Sequence, residues 1–173
     1  MKALFLDVDG ILTDSTIYLG PNNLELKRFT VEDGVGCALA RQANLTLALI
    51  SGRHSEATTA RAAQLGIKDV YQGYLNKLQP LEELLDKYGF SDGEVAYVGD
   101  GLVDLPVLER VGVAISVPNA HPLVKASADY ITERSGGQGV VLEVVEWILR
   151  HQGRYDEVLA GLRTQIHEAK RIG

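Results

Sequence analysis

The chain has 173 residues, nearly half of them apolar, and a formal net charge of -6, which suits one globular domain over residues 1–173 and argues against nucleic acid as a partner, since phosphate backbones are gripped by basic surfaces. Its single cysteine, Cys37, excludes an intrachain disulfide and a cysteine-based metal cluster. No apolar run reaches the length of a membrane span, and Met1-Lys2 leads at once into a run ending in aspartates, so neither a membrane segment nor a signal peptide is expected and the expected location is the cytoplasm.

In chain order, short apolar runs at 2–8, 45–51, 69–72, 95–100, 113–117 and 129–132 read as strands buried on both faces. Amphipathic segments at 35–43, 55–65, 77–88, 104–110, 121–126 and 139–151 alternate with them as helices. That alternation predicts an α/β fold with a mostly parallel sheet. Residues 16–30 break the pattern: two extended runs flank Gly20-Pro21-Asn22-Asn23, a β-hairpin with a longer turn. Its apolar positions Ile17, Leu19, Leu24 and Leu26 need a partner, because an isolated hairpin is marginal in water. The partner is another subunit or the hairpin's own domain. Residues 154–171 read as a terminal amphipathic helix with Val158, Leu159, Leu162 and Ile166 on one face.

In an open parallel sheet, ligands bind beyond the carboxyl ends of the strands. The first predicted strand ends in Asp7-Val8-Asp9, the second in Ser51-Gly52-Arg53 and the fourth in Gly99-Asp100, with Asp104 four residues on; Lys77 opens a helix after the third. Crowded carboxylates repel, so the site needs a cation or raised pKa values. Oxygen ligands without His or Cys favour a hard cation such as Mg²⁺. Ser51 and Lys77 supply donors for a phosphoryl group, and a carboxylate nucleophile with an acid/base partner completes the set. Gly10 permits the tight turn after Asp7. Asp14 reads as a loop-supporting acceptor, and His54 and His121 as surface or capping residues.

The stretches DVDGILTD, LISGR, NKL (with Lys77) and VGDGLVD resemble, in order, the four motifs of the haloacid dehalogenase-like phosphohydrolases. The resemblance implies a Rossmann-like sheet with helices on both faces and a Mg²⁺-dependent phosphomonoesterase. In this reading Asp7 attacks phosphorus, Asp9 is the acid/base, and Mg²⁺ is held by Asp7, Asp100 and the carbonyl of Asp9. Ser51, Gly52 and Lys77 grip the phosphoryl oxygens, and Asp104 supports Lys77 or the metal's water. The intervals after the first motif and between Ser51 and Lys77 are too short for a cap domain. A capless chain with a hairpin after the first motif is similar, over about residues 1–152, to the 3-deoxy-D-manno-octulosonate 8-phosphate phosphatases. That similarity implies a phosphorylated sugar acid as substrate and a homotetramer assembled through the hairpins, with each site completed by a neighbour. Arg53 and Arg61, eight residues apart, are candidates for the substrate carboxylate.

Two departures bear on function. The family usually has a second aspartate where Gly101 stands, which implies weaker Mg²⁺ binding or altered turnover, and it commonly has Arg where Gln138 stands. The rival readings are a phosphatase for another sugar phosphate, such as a nonulosonate 9-phosphate, and a catalytically weak domain kept for oligomerisation.

Overall fold

The computed structural model describes residues 1–169. Its elements run β1 (Ala3–Leu6), β2 (Tyr18–Leu19), β3 (Glu25–Leu26), α1 (Glu32–Gln42), β4 (Thr46–Ser51), α2 (Glu56–Leu65), β5 (Asp69–Gln72), α3 (Leu78–Tyr88), β6 (Val95–Val98), α4 (Leu105–Leu108), β7 (Val113–Ser116), α5 (Pro122–Ala126), β8 (Tyr130–Ile131), α6 (Val140–His151) and α7 (Tyr155–Glu168). Six strands form a parallel sheet in the order β5-β4-β1-β6-β7-β8, and β2 pairs with β3 in a separate antiparallel hairpin. The central strands β1 and β6 are buried at every residue, which is why their sequences are continuous apolar runs rather than alternating ones.

The chain steps from β1 outward to β4 and β5, returns to β6, and continues the other way through β7 and β8. Right-handed crossovers therefore place α1 and α2 on one face and α3 and α4 on the other. The reversal falls between β1 and β6, where the chain opens a crevice at the strand ends. Helix α6 returns to pack along α1. Gly36 makes that approach possible, because a Cβ there would sit 2.5 Å from the backbone nitrogen of Leu142. The buried Asp33 of α1 accepts a hydrogen bond from the Val141 amide at 3.0 Å, satisfying one of the free N–H groups at the start of α6.

Boundaries differ from the sequence reading where tertiary packing overrides local preference. Helix α1 starts at Glu32, ahead of the expected 35, because Gly34, a weak helix former, is carried within a helix that packs on α6. Helix α4 is cut to four residues, with a 3₁₀ turn at Leu102–Asp104 ahead of it. In α7, Val158 and Leu162 are buried and the helix lies against α1, whereas Ile166 is exposed. The last two residues of the expected terminal helix, 170–171, lie outside the described residues.

The hairpin turns through Pro21–Asn23, with Asn22 and Asn23 at positive φ, a conformation Asn tolerates. Tyr18, Leu19, Leu24 and Leu26 are all exposed, Leu19 at 79%. On the second strand the residues alternating with Leu24 and Leu26 behave differently. Glu25 and Lys27 turn inward to the carboxyl edge of the sheet, so period-2 geometry divides one short stretch between solvent and site. No helix among the described residues is long and apolar enough to cross a membrane.

Candidate active site

Strand β1 delivers Asp7 to the crevice, its amide donating to the Val98 carbonyl of β6 at 2.9 Å. The chain then winds into a single turn, with the amides of Ile11, Leu12 and Thr13 all directed at the Val8 carbonyl. Thr13 Oγ1 accepts from the amides of Gly10 (3.3 Å) and Ser15 (3.2 Å). Asp14 closes the loop, its Oδ1 accepting from the Thr16 amide at 3.0 Å and its Oδ2 lying 3.4 Å from Arg28. The Thr16 amide holds the Asp14 carboxyl below its usual range. Gly10 has φ of +99°, and a Cβ on it would fall 2.0 Å from Asp100 Oδ2. Glycine is therefore required there twice over, for the backbone angle and to admit the Asp100 carboxylate against the turn.

The floor of the crevice is a buried charge network. Lys77 Nζ lies 2.7 Å from Asp7 Oδ1 and 2.7 Å from Asp104 Oδ1, and donates to the Tyr97 hydroxyl at 3.2 Å. Tyr97 in turn donates to Asp104 Oδ1 at 2.6 Å. The other Asp104 oxygen accepts from the amides of Asp100 (3.2 Å) and Gly101 (2.9 Å). Both Asp104 oxygens are thus occupied in fixing Lys77 and the loop that carries Asp100. Burial, then the Asp104 charge, pushes Asp7 up to about 8 against the opposing pull of Lys77. Burial and Asp104 likewise push Asp100 up to about 6. Burial draws Lys77 down, but Asp7 and Asp104 outweigh it and leave its pKa above the ordinary value.

Oxygens of Asp7, Asp100 and Asp104 lie within 4.8 Å of one another. Three carboxylates facing one ammonium leave excess negative charge in a buried place, and the raised Asp7 and Asp100 values are its consequence. A divalent cation with oxygen ligands fits this donor set: it would hold Asp7 and Asp100 ionised, with Asp104 already committed elsewhere.

The mouth is built differently. Ser51 is buried at the end of β4, and its Oγ accepts from the Arg53 amide at 3.2 Å. Lys27 Nζ is 2.8 Å from Asp9 Oδ1, donates to Asp9 Oδ2 at 3.1 Å, and lies 3.8 Å from Glu25 Oε1. Arg53 reaches Glu25 Oε2 at 3.1 Å and Asp9 Oδ2 at 4.0 Å. The two candidate arginines part here. Arg61 donates to the Thr30 carbonyl at 2.7 Å and to Gln64, and sits over the Phe29 ring. A contact of Arg61 with substrate in its own site would require it to leave those partners. Gln138 is exposed, and its carbonyl accepts from Arg134. His121 caps α5, its Nδ1 accepting from the Leu123 amide.

Sequence reasoning passed over Tyr97, Thr13, Glu25 and Lys27. Three of them carried a signal. A tyrosine in a fully buried strand needs a partner for its hydroxyl. Glu25 and Lys27, alternating with Leu24 and Leu26, had to face opposite the apolar side.

The family pattern described as haloacid dehalogenase-like hydrolase matches residues 40–144. The 3-deoxy-D-manno-octulosonate 8-phosphate phosphatase KdsC of Salmonella typhi is 46% identical over 157 residues, covering 91% of this chain and 84% of its own. Among solved structures, the Moraxella catarrhalis 3-deoxy-D-manno-octulosonate 8-phosphate phosphatase, in complex with a magnesium ion, a phosphate ion and a KDO molecule, superposes with a TM-score of 0.89. It is 41% identical, with 92% of each chain covered. The Yersinia pestis phosphatase of the same name gives a TM-score of 0.88 at 40% identity, covering 90% of this chain and 84% of that one. With the crevice at the β1/β6 reversal and its four contributing loops, these likenesses show that the chain belongs to the haloacid dehalogenase-like hydrolases, in the family of the 3-deoxy-D-manno-octulosonate 8-phosphate phosphatases.

Proposed function

We propose that the chain is a Mg²⁺-dependent phosphomonoesterase that hydrolyses 3-deoxy-D-manno-octulosonate 8-phosphate to the free sugar acid and phosphate. One observation carries the reaction class: the buried Asp7–Lys77–Asp104 network facing Asp100 at the sheet reversal. The substrate rests on the relatives, one of which was solved with magnesium, phosphate and the sugar acid.

Asp7 attacks phosphorus as the bond to the sugar oxygen breaks, giving an aspartyl-phosphate, and Asp9 donates a proton to the departing alkoxide. Asp9 then takes a proton from water as that water attacks phosphorus and the bond to Asp7 breaks. Ser51, Gly52 and Lys77 hold the non-bridging oxygens, where charge accumulates. Asp7, Asp100 and the Asp9 carbonyl would hold Mg²⁺, which would supply neutralising charge to the phosphoryl oxygens. Asp104 does not touch the reacting atoms in this scheme; it keeps Lys77 and the Asp100 loop in place. Arg53, half-exposed at the mouth beside Asp9, is the cation for the sugar carboxylate.

We also assign a homotetramer built through the hairpin, because Tyr18, Leu19, Leu24 and Leu26 leave large apolar side chains of the hairpin exposed to solvent. The free, buried Cys37 is consistent with the reducing cytoplasm. Phosphate release from a panel of sugar-acid and sugar phosphates, with Mg²⁺ and with chelator, tests the function. Turnover of the octulosonate ester that vanishes with chelator is expected; uniform inactivity would overturn the reading. Light scattering tests the assembly, and a monomer would remove the hairpin's proposed role.

A further inference from the structure

We infer that Lys27, at the foot of the hairpin, is a positioning residue for Asp9 and sets the efficiency of proton transfer to the leaving group. The inference rests on the reading of Asp9 as the acid/base.

The observation is a second lysine wedged among carboxylates, separate from Lys77. The Lys27 side chain has no exposed surface, an unusual state for a lysine, and it points to a fixed electrostatic partner. That partner is Asp9, which it meets at 2.8 and 3.1 Å, with Thr58 Oγ1 behind it at 3.4 Å and Glu25 Oε1 at 3.8 Å. The ammonium spans both oxygens of the carboxylate: Oδ2 receives a directed hydrogen bond from Lys27, and Oδ1, buried and without a hydrogen bond, lies 2.8 Å from the same nitrogen. A carboxyl that shuttles a proton must be held in one orientation toward the leaving oxygen, and Lys27 is the side chain that fixes Asp9. Arg53 does not duplicate the anchor, since its nearest approach to Asp9 is 4.0 Å and its hydrogen bond goes to Glu25.

The anchor comes from an element outside the sheet. Lys27 follows β3, where Leu24 and Leu26 face outward and Glu25 and Lys27 face the site. Whatever covers the apolar face therefore also fixes the register of the lysine, and the hairpin belongs to the machinery of proton transfer.

Proton donation matters only when the leaving group needs a proton, and this gives a test that a merely structural role would fail. Lys27→Met is compared with the native protein on an alkyl phosphate (the sugar-acid ester), on glucose 6-phosphate, which is an alkyl ester without a carboxylate, and on 2,4-dinitrophenyl phosphate, whose leaving group departs unprotonated. The ratio of alkyl to aryl kcat cancels any fraction of misfolded protein. The expected result is a fall of about ten- to a hundredfold in kcat on both alkyl esters, a part of what a general acid contributes, with the aryl ester changed by less than about threefold. Lys27→Gln, which can still hydrogen-bond Thr58, gives the same ratio from a gentler change and decides the matter if the Met variant does not fold. Equal losses on all three esters would overturn the inference, as would a loss confined to the KM of the sugar acid, which would make Lys27 a substrate contact. Native protein inactive on all three would instead overturn the phosphatase reading itself.

Discussion

Two lysines stand between carboxylates in this molecule, and the difference between their surroundings separates the parts of the site. On the floor, Lys77 is flanked by Asp7 and Asp104, with Tyr97 and two backbone amides completing the network. At the mouth, Lys27 is flanked by Asp9 and Glu25, and one oxygen of each carboxylate is held by the ion pair alone, without a hydrogen bond. The floor is assembled from loops at the ends of paired strands, whose positions are set by the sheet. The mouth depends on a two-residue strand pair outside it. A closed network suits a residue that must hold its place through every step, and one held by a single lysine suits a proton carrier that must meet changing partners.

The largest expected effect breaks the floor. Asp7→Asn removes the nucleophile but keeps the shape and the contact with Lys77, so the protein should fold while kcat falls by more than about a thousandfold. Circular dichroism and phosphate release on the same sample check both halves; substantial residual turnover would rule out an aspartyl-phosphate on this residue. At the mouth the expected loss is smaller and different in kind. Arg53→Ala should raise KM for the sugar-acid ester by about tenfold, the scale of one partly exposed charge-assisted contact, and leave glucose 6-phosphate little changed. Equal effects on the two esters would show that Arg53 does not read the carboxylate.

A stability measurement sharpens the same contrast. Asp7 and Asp100 have folded values raised to about 8 and about 6 from an ordinary 3.8. Groups raised in this way contribute stability that is complete below 3.8 and lost as pH rises through the folded values. Metal-free protein should therefore lose stability as pH climbs from about 4 toward about 8. Because Mg²⁺ would relieve the repulsion, its stabilising effect should grow over that range. Thermal unfolding with chelator and with excess Mg²⁺ should show a gap a few degrees wider near pH 8 than near pH 5. A gap that narrows with pH would mean that the floor does not bind the cation.

How much of this was legible beforehand follows the same division. The parallel sheet, its strand positions and the motif residues of the floor could be read from apolar runs ending in aspartate, serine or glycine, because strands buried on both faces leave a strong local mark. The mouth could not be read so directly. Lys27 lies in a stretch whose apolar residues draw attention to the opposite face, and nothing local shows that it reaches Asp9, eighteen residues earlier. Arg61 illustrates the converse. Its spacing from Arg53 suits a shared pocket, but its guanidinium is taken up by the Thr30 carbonyl, a contact that depends on how the segment between the hairpin and α1 passes α2.

Gly101 is where family pattern and structure can be set against each other with the smallest perturbation. Its φ of −103° is open to any residue, and an added Cβ would meet only Asp104 Oδ2 at 3.6 Å and Val103 Cγ2 at 3.8 Å, ordinary contacts. Gly101→Asp should therefore fold normally. The new carboxylate would stand on the rim beside Asp100, in reach of solvent, where one added charge contributes about 0.3 to 1 kcal/mol. That corresponds to roughly a two- to fivefold gain in Mg²⁺ affinity, read by titrating activity against free Mg²⁺, with the rate at saturation nearly unchanged. If affinity and rate both stay where they are, the second aspartate of the family pattern has no part in holding the cation, and Asp7, Asp100 and the Asp9 carbonyl set the strength of the site without it.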